Sequence, residues 1–140
     1  MKYYTHIKDL KLRTIQDVFK MAFNYCNRVI IYFPNECDED IAKLKQSFTS
    51  LIVAGNNHEN DYSATGWLKE KQGFTMLIAT LSRDIQTFIV NINPILNISL
   101  GLLDDGHVFL YLGDDGQLII ETDKITPDIH PVLSHLQTEK

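Results

Sequence analysis

The chain has 140 residues, 44% of them hydrophobic and 22% charged, which excludes a disordered or fibrous polypeptide and predicts a globular domain. A single domain over residues 1–140 is expected, long enough to bury about two-thirds of its unfolded surface. The net charge of −5 is unevenly spread: residues 1–28 carry +4, 29–65 carry −4, 66–103 carry +1 and 104–140 carry −6. That balance argues against nucleic acid, whose phosphates need a cationic face, and suits a cationic partner.

The start, MKYYTHIKDLKLR, has no apolar core behind its charges, so no signal peptide is expected. A cytoplasmic chain follows, with Cys26 and Cys37 as free thiols. Lys2, Lys8, Lys11 and Arg13 are too few, and Tyr3 and Tyr4 too isolated, for a nucleic-acid platform. Thr14 and Asp17 resemble a capping box, and Ile15, Val18, Phe19, Ala22 and Phe23 form one apolar stripe. They predict a helix over 14–26. Val29–Phe33 reads as a short buried strand ended by Pro34. A second helix begins near Asp38, its acids Asp38, Glu39 and Asp40 suited to the positive end of the dipole. Ser50–Ala54 is either the last turn of that helix or another strand.

Gly55–Gly66, GNNHENDYSATG, reads as a long polar loop. After it the period changes to two, predicting strands at 67–72, 74–81, 85–93, 96–103, 107–112 and 117–123. The uncharged run Ile85–Leu103 is long enough to suggest a membrane span. Gln86, Asn91, Asn93, Pro94, Asn97 and Ser99 interrupt it, and two strands around Asn93-Pro94 account for it better. Short connections, including Ser82-Arg83-Asp84, imply antiparallel neighbours. The expected fold is α+β: two N-terminal helices and a short strand packed on a largely antiparallel β-meander of five to six strands.

Asp104-Asp105-Gly106 and Asp114-Asp115-Gly116 flank the strand at 107–112 and carry strong hairpin signals. Ten extended residues place Asp105 and Asp115 roughly 30 Å apart, too far for one calcium ion whose ligands lie near 2.4 Å. Alternation in that strand turns Val108, Leu110 and Leu112 one way, and His107, Phe109 and Tyr111 the other. Phe109 and Tyr111 therefore read as aromatic anchors of a docking patch rimmed by acids.

Catalytic and metal chemistry find little support. His130 and His135 are five apart with Pro131 between them, and no cysteine pair lies near, so no metal is expected. Cys37 sits among Glu36, Asp38 and Glu39, whose charge opposes a thiolate. There is no nucleophile elbow and no phosphate-cradling glycine loop. His58, Glu59, Asp61 and Tyr62 form the densest polar cluster, the basis of an alternative reading as a small enzyme or ligand-binding domain using the 55–66 loop.

In general character, a single acidic α+β domain without catalytic motifs, the chain resembles bacterial immunity proteins that neutralise contact-dependent growth inhibition toxins. The resemblance covers the whole chain and rests on no diagnostic motif, so no functional residue is carried over from it. It implies a tight complex with a cognate toxin domain, often a nuclease with a cationic active site, and neither catalysis nor a cofactor. The partner-binding candidates from the residues themselves are the acids Glu36, Asp38, Glu39, Asp40, Asp104, Asp105, Asp114 and Asp115, with Trp67, Phe109 and Tyr111 as anchors. No nucleic acid or membrane is expected as a partner. The half-apolar sheet face leaves open a monomer or a weak homo-oligomer.

Overall fold

A computed structural model describes residues 1–35, 38–55, 69–71, 73–92 and 98–139. The elements are β1 (Lys2–His6), α1 (Leu12–Phe23), β2 (Arg28–Pro34), α2 (Glu39–Gly55), β3 (Lys69–Lys71), β4 (Phe74–Thr80), α3 (Arg83–Val90), β5 (Ser99–Asp104), β6 (His107–Leu112), β7 (Gln117–Glu121) and β8 (Gln137–Glu139). Short 3₁₀ turns occupy Ile7–Asp9 and Pro131–His135. The class is α+β. The strands form one eight-stranded sheet in the order β3-β4-β2-β5-β6-β7-β1-β8, and the paired neighbours are antiparallel.

This differs from the expected architecture in several ways. Among the described residues only β5-β6-β7 is a three-stranded meander. The 29–33 strand is no satellite of the sheet but a central strand, paired with both β4 and β5. Its pattern of half-buried and buried residues, Arg28 to Pro34, keeps Val29, Ile31 and Phe33 inward. Strand β1 has no counterpart among the elements expected from the sequence, because KYYTH lies in the basic start of the chain and its strand partners are distant. Backbone pairing with Ile119 and Gln137 holds Tyr4 there.

The predicted strand over 85–93 is a correction: residues 83–90 form α3. The segment supports both periods, since Ile85, Phe88, Ile89 and Ile92 also follow helical spacing. The capping chemistry decides between them. Ser82 Oγ accepts a hydrogen bond from Ile85 N at 3.3 Å, and Asp84 sits in the positively polarised first turn. Ser82-Arg83-Asp84 is thus a helix start rather than a hairpin turn. The Asn93-Pro94 turn lies outside the described residues.

Helix α1 begins two residues before the expected position, at Leu12. Lys11 is its N-cap and makes no side-chain capping bond, so Thr14 and Asp17 lie within the helix and form no capping box. Helix α2 extends to Gly55, which settles Ser50–Ala54 as helix. Asp38 caps it, Oδ1 accepting from Ile41 N at 3.0 Å.

The helices and the C-terminal segment pack on one face of the sheet. Phe33 of β2 meets Phe48 of α2 with ring centroids 6.0 Å apart, and Phe48 meets Phe88 of α3 at 5.3 Å. Tyr3, Val29, Ile31, Leu100, Leu102, Leu110, Leu118 and Ile120 complete that buried face. Among the described residues, no helix is long and apolar enough to cross a membrane.

Candidate functional site

The two acidic hairpins form as their chemistry requires. Asp104 pairs with His107 across a two-residue loop in which Asp105 has φ 53° and Gly106 φ 90°. Two successive positive φ values match the twist of the flanking strands. The second loop closes through Gly113 N to Gln117 O at 2.9 Å, with Gly116 at φ 88°. Only glycine adopts that conformation cheaply. The loops lie at opposite ends of β6.

The strand between them holds the main correction. Leu102 faces Leu110 and Leu103 faces Val108, so Phe109 is an extra residue in the register, a β-bulge. The bulge breaks the alternation. Phe109 turns into the core at 1% exposure and stacks on Tyr25, centroids 5.5 Å apart. Val108 turns outward at 45%. Phe109 is therefore a core residue and no docking anchor. Tyr111, beyond the bulge, is on the open face at 37% exposure.

The open face, opposite the helices, is ordered by cross-strand pairing. One row runs Ile78, Ile30, Gly101, Tyr111, Ile119, Tyr4, Gln137, each residue paired with the next. It crosses seven strands without a charge. A neighbouring row joins Met76, Tyr32 and Ser99. On the other side, Thr80, Arg28, Leu103 and Val108 are paired in turn, as are Glu121, Lys2 and Glu139. The Tyr111 ring lies against Gly101, 3.9 Å from where a Cβ there would sit. Burial, reinforced by the Tyr111 phenol, raises the Tyr32 phenol above its ordinary value of 10.0. Tyr4, Ile30, Tyr32, Ile78 and Ile119 were missed as surface residues. Their signal was present, in the alternate positions of VIIYF and KYYTH, but it needed the strand order to become a surface.

The acids divide between the two ends of the sheet. At the Arg28 end, Asp104 is ion-paired with Lys124, which raises the Lys124 pKa through hydrogen bonding and charge, and Asn27 Oδ1 accepts from Asp105 N at 3.2 Å. Asp123 meets the N-terminal ammonium at 3.1 Å, and Lys2 meets Glu139 at 3.6 Å. At the opposite end, β2 finishes two strand spacings, about 10 Å, from the end of β6. The start of α2 and the 113–116 loop therefore share that end. Glu39 pairs with Lys43 at 3.1 Å, and Asp115 Oδ1 accepts from Gln117 N at 3.0 Å. Asp40 and Asp114 are exposed and have no ion-pair partner among the described residues. Lys8 of the adjoining turn, Lys45, which donates to Thr75 Oγ1 at 3.2 Å, and Lys71, paired with Phe74 beside Pro34, offset part of this charge. The sheet thus brings Asp38, Glu39, Asp40, Asp114 and Asp115 to one end and separates Asp104 and Asp105 from them. Glu36 and Trp67, and the cluster of His58, Glu59, Asp61 and Tyr62, lie outside the described residues, as does Cys37.

Behind β6, Tyr25 Oη and His130 Nε2 are 2.7 Å apart. The neighbouring Cys26 thiol is free and pushed up to about 12, first by burial and then by Asp104. Such a thiol stays protonated and is a poor nucleophile. His135 lies in the 3₁₀ turn, and among the described residues no three His, Cys, Asp or Glu side chains gather as a metal site. No family model matches the chain, and neither a curated protein nor a solved structure shows significant similarity to it.

Proposed function

We propose that this is a non-enzymatic cytoplasmic binding protein, an immunity protein that neutralises a cognate toxin domain by tight complex formation. The observation that carries the reading is the acid excess at one end of the sheet. There Asp38, Asp40, Asp114 and Asp115 stand on a helix start and a tight loop, scaffolds that hold charge in fixed positions. Asp114 N donates to Ser99 Oγ at 3.1 Å, which ties that loop to β5. A cationic surface is drawn toward such an end over about a Debye length, near 8 Å at physiological salt. The opposite end is a weaker candidate because Asp104, Glu139 and Asp123 there are ion-paired with Lys124, Lys2 and the N-terminal ammonium, whereas at the first end Glu39 alone is ion-paired among the described residues.

The test is co-purification with the toxin domain encoded beside its gene, together with protection of cells that express that domain. A stable complex and survival are the expected results. Replacing Asp38, Asp40, Asp114 and Asp115 by asparagine slows association at least roughly tenfold at low salt, and the difference shrinks as salt rises. No complex and no protection would end the proposal.

A further inference from the structure

The acids of the proposed partner site stand on turns and a helix start, beside the open sheet face rather than on it. The face has a different character. Its central row, Ile78 to Gln137, is uncharged, and the row containing Met76, Tyr32 and Ser99 carries one charge, Lys69, paired with Met76 at the β3 edge. Its outer row alternates in sign, with Arg28 and Lys2 against Glu121 and Glu139. No described helix covers it. Tyr111 and Val108 are substantially exposed, and Phe74 adds a further apolar group at 36%.

We infer that this face is the contact surface of a symmetric dimer of the chain, with the Ile78–Gln137 row of one copy packed against the same row of the other. Three observations lead to a second copy as the occupant. The first is electrostatic. Two chains of net charge −5 repel over most of their surfaces, and this near-neutral band is where they approach without opposing like charges.

The second is self-complementarity. A two-fold interface sets each residue against the one equally far beyond the axis. Tyr111 is the fourth of the seven positions in the row. An axis through it places Ile119 against Gly101 and Ile30 against Tyr4, with the two Tyr111 rings meeting at the centre and Ile78 against Gln137 at the ends. The third is size. Seven strands, each about 4.8 Å wide, and three rows, each about 6.8 Å deep, give a footprint of about 700 Å². Side-chain relief raises the accessible area above that flat figure, toward the roughly 800 Å² per partner of a stable interface.

Sedimentation of the full chain over increasing concentration tests the inference. The expected result is a shift from the 16.1 kDa species to twice that mass, with a midpoint in the micromolar range. Tyr111→Lys, with its fold verified by circular dichroism, raises the dissociation constant at least roughly tenfold, because it sets two cations together at the axis. Isoleucine methyl spectra of the unmodified chain supply a reading free of folding effects: Ile30, Ile78 and Ile119 shift with concentration, while buried Ile85 and Ile120 do not. Asp114→Asn with Asp115→Asn leaves dimerisation intact while weakening the cationic partner, so the two proposals fail separately. A chain that stays monomeric to millimolar concentration, or a folded Tyr111→Lys chain that dimerises unchanged, overturns the inference.

Discussion

Replacing Gly116 by alanine probes the link between the second acidic loop and the start of the chain. Gly116 has φ 88°, and an added Cβ would lie 2.5 Å from His6 Cε1. Gly106 is the natural control, with φ 90° and nothing within 4 Å of the added atom. The positive φ alone costs an alanine about 1–2 kcal/mol. At Gly116 the His6 ring must also retreat about 1 Å to reach ordinary carbon–carbon contact near 3.5 Å. It is held there by two bonds. Lys8 N donates to Nδ1 at 3.1 Å, so Nε2 carries the proton and donates to Asp115 O at 2.8 Å. Displacing the ring weakens both, at about 0.5–1.5 kcal/mol each.

Gly106→Ala is therefore expected to cost about 1–2 kcal/mol and Gly116→Ala about 2–5 kcal/mol. In a His6→Ala background the Gly116→Ala cost falls back to about 1–2 kcal/mol, because only the backbone term remains. Urea unfolding of the two single variants, the double variant and the parent gives the coupling, provided the slopes agree. Additivity within about 0.5 kcal/mol would refute the His6–Gly116 contact.

Other outcomes follow from single features. Phe109→Ala is expected to cost about 3–5 kcal/mol, the range for a buried aromatic, while Tyr111→Ala costs less than about 1.5 kcal/mol; equal costs in chemical denaturation would remove the bulge. Ser82→Ala removes the α3 cap, lowers stability by about 1 kcal/mol and frays the helix, as read by amide exchange at Ile85; unchanged protection there would favour the strand assignment. In a Cys37→Ser background, Cys26 reacts with iodoacetamide at pH 8 far more slowly than a free thiol, and denaturant restores the rate; rapid native alkylation would contradict the burial. The same shift has a sign in stability. Because the folded thiol sits at about 12 against an ordinary 9.0, its contribution is intact below pH 9 and declines as pH rises through 9 to 12, a loss that Cys26→Ala abolishes.

The hairpins were legible because their chemistry is local: Asp-Gly pairs demand positive φ wherever they fall. The stripe of α1 and the start of α2 were legible for the same reason. Residues 85–93 were not, because Ile85, Phe88, Ile89 and Ile92 satisfy two periods and only the Ser82 hydroxyl breaks the tie. Phe109 was misplaced by one residue of register, which moves a side chain from one face of a sheet to the other. No pattern along β6 announces a bulge; it is set by the partner strand. The acids were legible as a class, but their division between the two ends of the sheet depends on strand order. That order places Lys124 beside Asp104, twenty residues away, and leaves Asp114 without an ion-pair partner among the described residues.

Strand β1 sits between β7 and β8, so residues 2–6 find their hydrogen-bond partners only at positions 117–121 and 137–139. A ribosome delivers those partners long after β1 itself. Until then the opening segment, with Tyr3 destined for the core, has no place to dock, and the β5-β6-β7 hairpins can assemble first because their contacts are near in sequence. Docking of β1 into the slot between β7 and β8 is thus a long-range step that local hairpins precede, and removing residues 137–139 would turn β1 into an unguarded edge.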